Sequence, residues 1–463
     1  MSRSPRSASA PPPPASAGTH SFRSVAAVIG LCWLAVFFDG MDVNIYGATM
    51  PYMLDDAEFG LTPATAGTIG SWTTSGMLVG ALTAGNMTDW VGRRVTLITS
   101  VVLFSLGSAI CAVAASPATF GAGRFVSGLG LGALLPVCLA VVMEFAPPRR
   151  VALATGLLMT SYHAGGMTAT GLGLAADPDA WRWVYWAGVL PAVIAVPLLL
   201  RWFPESPAVL LARGHEARAA AVAARYGMPA PRPAEAPPGG ARGRVEAVLA
   251  LFRPESRWAT PLLWVASFCG LLLVYGVSTW LPQLMRGQGY GVTSAVSFLM
   301  VINAGGIVGM LIAGRTADRF GAVRVSAVWF LLTACGALLL RAHLPLSVTY
   351  VVVFVTGVWL FSAQVMVYAA TNSVYGPAER ATGLGWVTGV GRIGAVVGPW
   401  LGGALINGGS EGWGFVMFAL AGLLGAVMIA LVPLVGRLRG GRPAGAADRP
   451  LGAGGAGGTA PAP

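Results

Sequence analysis

The stretch GNMTDWVGRR, from Gly85 to Arg94, returns later in the chain as GRTADRFGAVR, from Gly314 to Arg324. Two glycines and one aspartate of the first copy fall on identical residues of the second at a constant offset of 229 positions. The matching residues are Gly85, Asp89 and Gly92 in the first copy and Gly314, Asp318 and Gly321 in the second. The sequence ATGL, from Ala154 and again from Ala381, repeats in the same order at nearly the same offset. Together the two repeated motifs predict a duplicated unit with parallel repeats.

Long apolar segments flank both copies. Examples are WRWVYWAGVLPAVIAVPLLL (Trp181 to Leu200) and TPLLWVASFCGLLLVYG (Thr260 to Gly276), close to the roughly 20 residues of a membrane-spanning helix. Of the 463 residues, 55% are hydrophobic and only 10% are charged, against roughly 25% charged in a soluble domain. This composition excludes an ordinary soluble protein. The continuous apolar runs exclude an outer-membrane barrel, whose strands alternate in polarity.

Twelve apolar spans are expected, six on each side of a polar, proline-rich stretch. They cover about residues 24–53, 62–84, 94–115, 118–143, 151–175, 181–201, 258–283, 293–313, 322–341, 345–372, 380–406 and 412–435. The predicted fold is therefore an all-α polytopic membrane protein of twelve transmembrane helices in two six-helix parallel repeats. The expected regions are a disordered cytoplasmic tail (1–23), a six-helix bundle (24–201), a cytoplasmic linker (202–257) that is helical near Ala208 to Tyr226, a second six-helix bundle (258–435) and a second disordered cytoplasmic tail (436–463).

The net charge of +11 indicates how the chain is oriented in the membrane and does not indicate nucleic-acid binding. All 29 basic residues are arginines, and they lie between apolar runs instead of on one face. Most fall in the tails, the linker and the loops of one side, with only Arg182, Arg286 and Arg341 in the loops opposite, so the positive-inside rule assigns the rich side to the cytoplasm. The five cysteines show no CxxC spacing, and we expect neither a disulfide nor a metal site.

Six plus six spans, the paired G-x-x-x-D-x-x-G loops and the central linker resemble the major facilitator superfamily over nearly all of residues 24 to 435. Within it, FFDGMDVNIYGATMP (Phe37 to Pro51) resembles the first helix of the aromatic acid:proton symporters, which take up benzoates, hydroxybenzoates and protocatechuate. GRFVSGLGLGALLPVCLAVVMEFAPPRR, YGVSTWLP and ERATGLGWVTGVGRIGAVVGPWLGG resemble the same family. The loops depart from the superfamily pattern at Trp90, and at Ala322 and Val323, where basic residues are usual.

Asp39 and Asp42 lie near the middle of the first span, where a carboxylate costs roughly 2.5 to 3.5 kcal/mol or more unless it faces a wet cavity or a partner. Their spacing places them on one helix face, so we expect coupled titration. The resemblance implies that at least one of these two aspartates takes part in proton coupling or substrate binding. In the alternative reading, one caps a helix break around Gly40 or pairs permanently with an arginine.

Arg124 and Arg392 are arginines within predicted spans. A guanidinium suits bidentate binding of a carboxylate, either that of an aromatic acid or that of an aspartate on the first span. A fixed salt bridge or a snorkelling position is the alternative, and it is more plausible for Arg124, near the end of its span. Further polar or aromatic residues are candidates for the cavity wall. They are Asn44, Tyr46, His163, Tyr275, Trp280, Gln364, Tyr368, Asn372 and Trp386.

The repeated loops predict a cytoplasmic gate. We expect Asp89 and Arg93 to form an ion-pair cluster with Glu144 and Arg149 when the cavity faces outward. Gly85 and Gly92, with Gly314, Asp318 and Gly321 in the second copy, complete the predicted gate. A solvated turn without a conformational role is the alternative.

The sequence therefore predicts a secondary transporter that imports a small aromatic carboxylate by proton symport with alternating access. An inside-negative membrane opposes anion entry by about 2.3 kcal/mol per charge per 100 mV, which proton co-transport offsets. The alternatives are a proton-coupled carrier for another organic acid or a sugar, a drug or metabolite exporter, and a membrane receptor. We expect no enzymatic activity, cofactor, metal or nucleic-acid partner. The protein is expected to be a multi-pass monomer in the bacterial cytoplasmic membrane, with both termini cytoplasmic and the lipid bilayer as its surroundings.

Overall fold

The computed structural model describes residues 20–147, 150–176, 178–229, 246–254, 256–376, 379–409 and 412–437. The described chain is almost entirely helical, and no β-strand occurs within these ranges. The all-α, multi-span fold class predicted from the sequence is confirmed. The predicted tails lie mostly outside the described residues, as does the middle of the predicted linker.

Each half of the chain is a bundle of long helices. The first half contains α1 (His20–Asp55), α2 (Pro63–Val91), α3 (Arg93–Ala112), α4 (Pro117–Phe145), α5 (Val151–Ala175), α6 (Trp183–Trp186) and α7 (Leu190–Trp202). Two short helices, α8 (Pro207–Ala212) and α9 (Glu216–Tyr226), follow in the linker, where the sequence predicts helix. The second half contains α10 (Ala259–Gly287), α11 (Val292–Phe320), α12 (Ala322–Leu340), α13 (Leu346–Val374), α14 (Arg380–Asn407) and α15 (Trp413–Arg437).

Local sequence explains where several helices begin. α2 and α4 start in TPAT and SPAT, with the side chains of Thr62 and Ser116 accepting hydrogen bonds from backbone N–H groups three residues on. The following proline suits the first turn, where its missing N–H is not needed. The turns that end α2 and α11 each contain a glycine at positive φ, Gly92 at +93° and Gly321 at +85°. The repeated glycine thus has the same conformational role in both halves.

Ten helical segments in the described ranges are long and apolar enough to cross a membrane. The long helices α2 and α5, of 29 and 25 residues, are not among them. Their length would span a bilayer, but their glycine, serine and threonine residues lower their hydropathy. Hydropathy therefore confirms ten of the twelve predicted spans, and length alone supports the other two.

Two predicted helix boundaries need correction. The first helix begins at His20, so four residues assigned to the tail are helical, and α2 continues to Val91 instead of ending near residue 84. The sixth predicted span is confirmed as one apolar segment, Trp183–Trp202, in which i→i+3 hydrogen bonds join α6 to α7. Pro191 has no N–H to donate to the carbonyl of Ala187, which interrupts the α-helical hydrogen bonding at this point.

The two halves touch through α2 against α14, α5 against α11 and α1 against α10. We call the end of the bundle with the Gly85–Arg94 and Gly314–Arg324 loops the repeat-loop end, and the other the opposite end. Near the opposite end, a Cβ atom on Gly47 would collide with the Ser278 carbonyl. The Ser71 hydroxyl likewise donates a hydrogen bond of 2.7 Å to the Val396 carbonyl. Small residues thus let the two halves approach closely there.

The halves separate toward the repeat-loop end. Gly85 of α2 is five helical turns from Gly67, which abuts Pro399 across the interface, and therefore lies on the same helix face. Nonetheless, no neighbouring atom of the described residues lies within 4 Å of a Cβ placed on Gly85, nor of one on Gly385 or Gly389 of α14. The bundle is therefore closed at the opposite end and open at the repeat-loop end.

Candidate functional site

Asp42 and Arg124 form a buried ion pair inside the first half. Nη1 of Arg124 lies 2.8 Å from Oδ2 of Asp42, and both side chains are 1% exposed. Oδ1 of Asp42 accepts a hydrogen bond of 2.5 Å from the Ser108 hydroxyl. Nε of Arg124 donates to the Thr73 hydroxyl at 3.2 Å, and its guanidinium lies 5.6 Å from the centre of the Tyr46 ring. Of the two readings of Asp42, this geometry favours the permanently paired one.

Asp39 is buried without such a partner. Its side chain is 1% exposed, and Oδ1 has no hydrogen-bond donor among the described residues. Because neighbouring Gly40 has no side chain, its backbone packs directly on the backbone of Tyr162 in α5. Asp39 therefore lies at a tight α1–α5 contact, one helical turn from the paired Asp42. The structure thus separates two aspartates that the sequence treats as equivalent.

Arg392 provides a buried positive charge on the second half. Its side chain is 8% exposed, and Nε has no hydrogen-bond partner among the described residues. Nη1 donates to the Tyr275 hydroxyl at 3.3 Å and lies 4.0 Å from the sulfur of Met77 in the first half. The charges of Arg392 and Asp39 are close enough to interact, yet no ion pair within 4.0 Å joins them in the described chain.

Further polar groups lie near this pair of charges. The Tyr162 hydroxyl is buried without a partner among the described residues. On the second half, Nε2 of Gln364 donates to the Ser267 hydroxyl at 3.0 Å, and Tyr368 is half-buried one helical turn further on α13. Unsatisfied buried polar atoms are uncommon in folded proteins. Their concentration here, on helices from both halves, identifies the candidate binding site.

Asn44 and His163 belong to a second polar cluster, completed by Asn303. Nδ2 of Asn303 donates to Oδ1 of Asn44 at 3.1 Å, and Oδ1 of Asn303 lies 3.1 Å from Nδ1 of His163. All three side chains are buried. Sequence reasoning missed Asn303, although an amide within the apolar run VINAGG is a detectable signal.

The remaining predicted wall residues divide into packed and peripheral ones. Tyr46 donates its hydroxyl to the Ala66 carbonyl at 2.7 Å, and Trp280 donates its indole N–H to the Pro399 carbonyl at 2.7 Å. These contacts hold helices together. Asn372 is exposed near the repeat-loop end, and Trp386 is 42% exposed and stacked on Trp264 at 5.5 Å. The structure does not bring Asn372 and Trp386 to the Asp39–Arg392 region.

The repeat-loop end of the first half carries an ion-pair cluster. Arg93 pairs with Glu144 although the repeat-loop end is open, whereas the sequence predicts this cluster for the outward-facing carrier. The Ser206 hydroxyl donates to the Glu144 carboxylate. Glu205 accepts hydrogen bonds from the backbone N–H groups of Arg93, at 2.9 Å, and Arg94, at 3.3 Å. Sequence reasoning missed Glu205, whose carboxylate complements the positive end of α3.

Asp89 stands apart from the Arg93–Glu144 pair, and its predicted partnership concerns the outward-facing carrier. Its side chain is exposed at the end of α2, and among the described residues its backbone carbonyl accepts a hydrogen bond from Arg213 at 3.1 Å. Glu205 occupies the space above Gly92 instead. Asp318 is exposed in the second copy, and Gly85 and Gly314 face open space. Arg149 lies outside the described residues.

Asp56 anchors the opposite end of the first half. Oδ2 accepts hydrogen bonds from the Trp181 indole at 3.0 Å and from Arg182 at 3.2 Å, and Oδ1 accepts one from the Phe59 N–H at 3.0 Å. Burial alone would raise the pKa of Asp56, but the three donors outweigh it and hold the pKa of this carboxyl below its usual range.

Comparisons with known proteins agree with this architecture. The profile of the Major Facilitator Superfamily matches residues 32–364 and 303–457. The gentisate transporter of Corynebacterium glutamicum is 33% identical over 425 residues, which cover 90% of this chain and 88% of the relative. The benzoate transport protein of Acinetobacter baylyi is 30% identical over 417 residues, covering 88% and 89%. The 4-hydroxybenzoate transporter of Pseudomonas aeruginosa is 30% identical over 427 residues, covering 88% and 91%. These relatives are transport proteins, not enzymes, in line with the sequence analysis.

A solved structure shares the fold. The xylose transporter of Escherichia coli, in a partially occluded inward-open conformation, superimposes with a TM-score of 0.70 at 16% identity. The match covers 88% of this chain and 97% of the xylose transporter. At this identity the likeness concerns the fold alone.

Proposed function

This chain belongs to the major facilitator superfamily, and we propose that it imports a small aromatic carboxylate, of the benzoate or hydroxybenzoate type, together with protons. It is a multi-pass membrane transporter whose relatives include transporters of gentisate, benzoate and 4-hydroxybenzoate. The assignment of an aromatic acid as the substrate is supported by these relatives and by the charge arrangement between the two halves.

The observation that carries the proposal is the buried Arg392 guanidinium. It has no carboxylate partner among the described residues, and its Nε donor is unused. A buried positive charge without a counterion is unfavourable, so an incoming carboxylate would gain both a charge interaction and hydrogen bonds. Tyr275 provides aromatic surface and a hydroxyl group beside it, which suits a benzoate-like ring.

Asp39 is the proposed proton carrier. It is buried, it lacks a donor at Oδ1 among the described residues, and it lies in the electrostatic range of Arg392. Asp42 cannot change its charge without leaving Arg124 unpaired, because the two form a direct ion pair. We therefore assign proton exchange to Asp39, and to the Asp42–Arg124 pair the positioning of this helix segment.

The unequal contacts between the halves support alternating access. Rocking about their interface would open the tightly packed opposite end and close the repeat-loop end. The proposed gate of the first half consists of Gly85, Asp89 and Gly92 beside the Arg93–Glu144 pair, which is already formed with the repeat-loop end open. Gly314, Asp318 and Gly321 are the counterparts in the second half. In this scheme the exposed Asp89 acquires a partner only after the repeat-loop end has closed.

The arginine distribution supports a cytoplasmic location for the repeat-loop end, both termini and the linker. We accordingly propose residues 24–201 and 258–435 as the two membrane bundles and 202–257 as the cytoplasmic linker, with the protein acting as a monomer in the bacterial cytoplasmic membrane. The structure is then that of an inward-facing carrier.

Uptake assays test this function directly. Cells that express the protein are compared with cells that lack it for accumulation of radiolabelled benzoate, 4-hydroxybenzoate, protocatechuate and gentisate, with and without a protonophore. Accumulation of at least one acid that collapses with the protonophore is expected. Accumulation that ignores the protonophore would contradict proton symport, and efflux from loaded cells would indicate an exporter.

A further inference from the structure

His163 of the first half inserts into a pocket of the second half. Its ring lies 4.5 Å from the Phe361 ring, centre to centre, at an angle of 63°. A Cβ atom on Gly306 would lie 2.7 Å from Cε1 of His163, so only glycine leaves room for the imidazole. Asn303 closes the pocket through its contact with Nδ1. We call the site formed by Asn303, Gly306 and Phe361 the His163 socket.

The hydrogen bonds around the His163 socket have a defined direction. The Asn303 amide nitrogen donates to the Leu299 carbonyl at 2.8 Å and to Oδ1 of Asn44 at 3.1 Å. Its Oδ1 atom must therefore accept, which makes Nδ1 of His163 the donor. Asn44 in turn donates from Nδ2 to the Gly40 carbonyl at 2.8 Å. This series of hydrogen bonds runs from α5 through α11 to α1. It ends at the Gly40 carbonyl, between Asp39 and Asp42 in the sequence.

This series of hydrogen bonds links the two halves of the carrier near the middle of the membrane. Asn44 and His163 belong to the first half and Asn303 to the second, and their side chains are at most 1% exposed. A buried polar network of this kind is favourable only when its members are satisfied together. Rotation of the second half would move Asn303 and so pull on Asn44 and the Gly40 carbonyl beside the acidic residues.

We infer that His163, Asn303 and Asn44 are positioning residues that couple the rotation of the two halves to the acidic segment of α1, so that substrate does not cross without its proton. This inference rests on the proposed proton symport. It makes the three residues part of the coupling device, although none of them carries the proton or contacts the substrate.

Glycines on α5 provide a matched test. A Cβ atom on Gly166 would lie 2.8 Å from both the Asn303 and the Asn44 amide, whereas one on Gly171 meets only Cε of Met300, at 3.6 Å. Gly166→Ala therefore displaces the Asn303 and Asn44 side chains without removing a polar group. Gly171→Ala is its control on the same helix. Asn303→Leu removes the amide, His163→Phe removes the donor, and His163→Asn restores a donor near the position of Nδ1.

The experiment measures two quantities in cells, with whichever of benzoate, 4-hydroxybenzoate or gentisate the wild type accumulates best. One is the steady-state accumulation ratio, and the other is exchange of internal for external labelled acid. In Gly166→Ala, Asn303→Leu and His163→Phe, accumulation is expected to fall to the level of protonophore-treated wild type while exchange continues. Gly171→Ala should accumulate like the wild type, and His163→Asn more than His163→Phe.

The outcomes separate this inference from the proposed function. Wild-type cells without protonophore-sensitive accumulation would overturn both. A wild type that accumulates, together with Asn303→Leu and Gly166→Ala variants that reach the same plateau, would overturn the inference alone. Slower uptake to an unchanged plateau also counts against it, because fewer folded carriers change the rate of filling and not the coupling ratio.

Discussion

Nη1 of Arg124 and Oδ2 of Asp42 lie 2.8 Å apart in a site that is closed to solvent. The partners are 82 residues apart in the chain, yet both helices belong to the first half, so the pair need not break when the halves rock. Asp39, one turn away, has no such partner for Oδ1 among the described residues. The neighbouring carboxylates of Asp39 and Asp42 thus have different roles in the proposed transport cycle.

Asp42→Asn should destabilise the protein rather than only uncouple it. Removing one partner of a buried ion pair costs roughly 3 to 5 kcal/mol, because the other charge stays buried and unpaired. The melting temperature of the purified carrier in detergent should fall clearly. The double variant Asp42→Asn with Arg124→Gln should recover much of that loss, and an equally unstable double variant would refute the explanation.

Asp39→Asn should fold normally and lose proton coupling. The amide is similar in size to the carboxyl, and no ion pair is lost. Accumulation should drop to the protonophore-treated level while exchange persists. Glu58→Gln is the matched control, since Glu58 is exposed in the loop before α2 and belongs to neither the site nor the proposed gate. Full accumulation by Asp39→Asn at normal expression would exclude Asp39 as the proton carrier.

Arg392→Gln should weaken substrate binding. Hydrogen bonds to charged groups contribute roughly 2 to 3 kcal/mol, which corresponds to an increase in KM of roughly 30- to 150-fold. Arg392→Lys should recover only part of the affinity, because an ammonium lacks the planar fork of donors. KM is measured from initial uptake rates. An unchanged KM in Arg392→Gln would place the substrate carboxylate elsewhere.

Gly47→Ala should block the cycle by preventing closure of the opposite end. Its Cβ atom would collide with the Ser278 carbonyl, and backbone cannot move aside as a side chain can. Uptake should fall at least about tenfold, the equivalent of roughly 1.4 kcal/mol. Gly30→Ala on the same helix meets no atom within 4 Å and should transport like the wild type. Equal uptake by both variants would show that this contact is dispensable.

Asp56 should contribute a pH-dependent part of the stability. Its pKa is lower in the folded protein, so this contribution is complete above the ordinary carboxyl pKa and is lost as the pH falls through the folded value. Asp56→Asn should lower the melting temperature at pH 7, and the difference from wild type should shrink as the pH falls below about 4. A difference that is constant with pH would argue against this assignment.

The sequence was sufficient for the architecture because its signals are local or repeated. Apolar runs indicate spans, and the paired loops reveal the duplication. The positive φ of Gly92 and Gly321 explains why the same residue type occurs in both copies. The change in helical hydrogen bonding before α7 was less visible, since Pro191 lies within a continuous apolar run.

The site was less accessible to sequence reasoning because its properties depend on distant partners. The choice between Asp39 and Asp42 depends on Arg124 and Ser108, which adjoin only one of them in the folded chain. Glu205 was missed because its contacts with Arg93 and Arg94 lie more than 100 residues away along the chain. The partnership of Asp89 is expected in the outward-facing carrier and stays a prediction, since spacing does not tell which side of the carrier is open.

The modest hydropathy of α2 and α5 has a consequence for biosynthesis. A segment rich in glycine, serine and threonine enters the lipid less readily on its own than a leucine-rich one. Each of these two helices is preceded and followed by a strongly apolar segment that can retain it beside the translocon. The order of synthesis therefore matters, and truncation after α2 or after α5 should give nascent chains that quality-control proteases remove sooner than those truncated after α4.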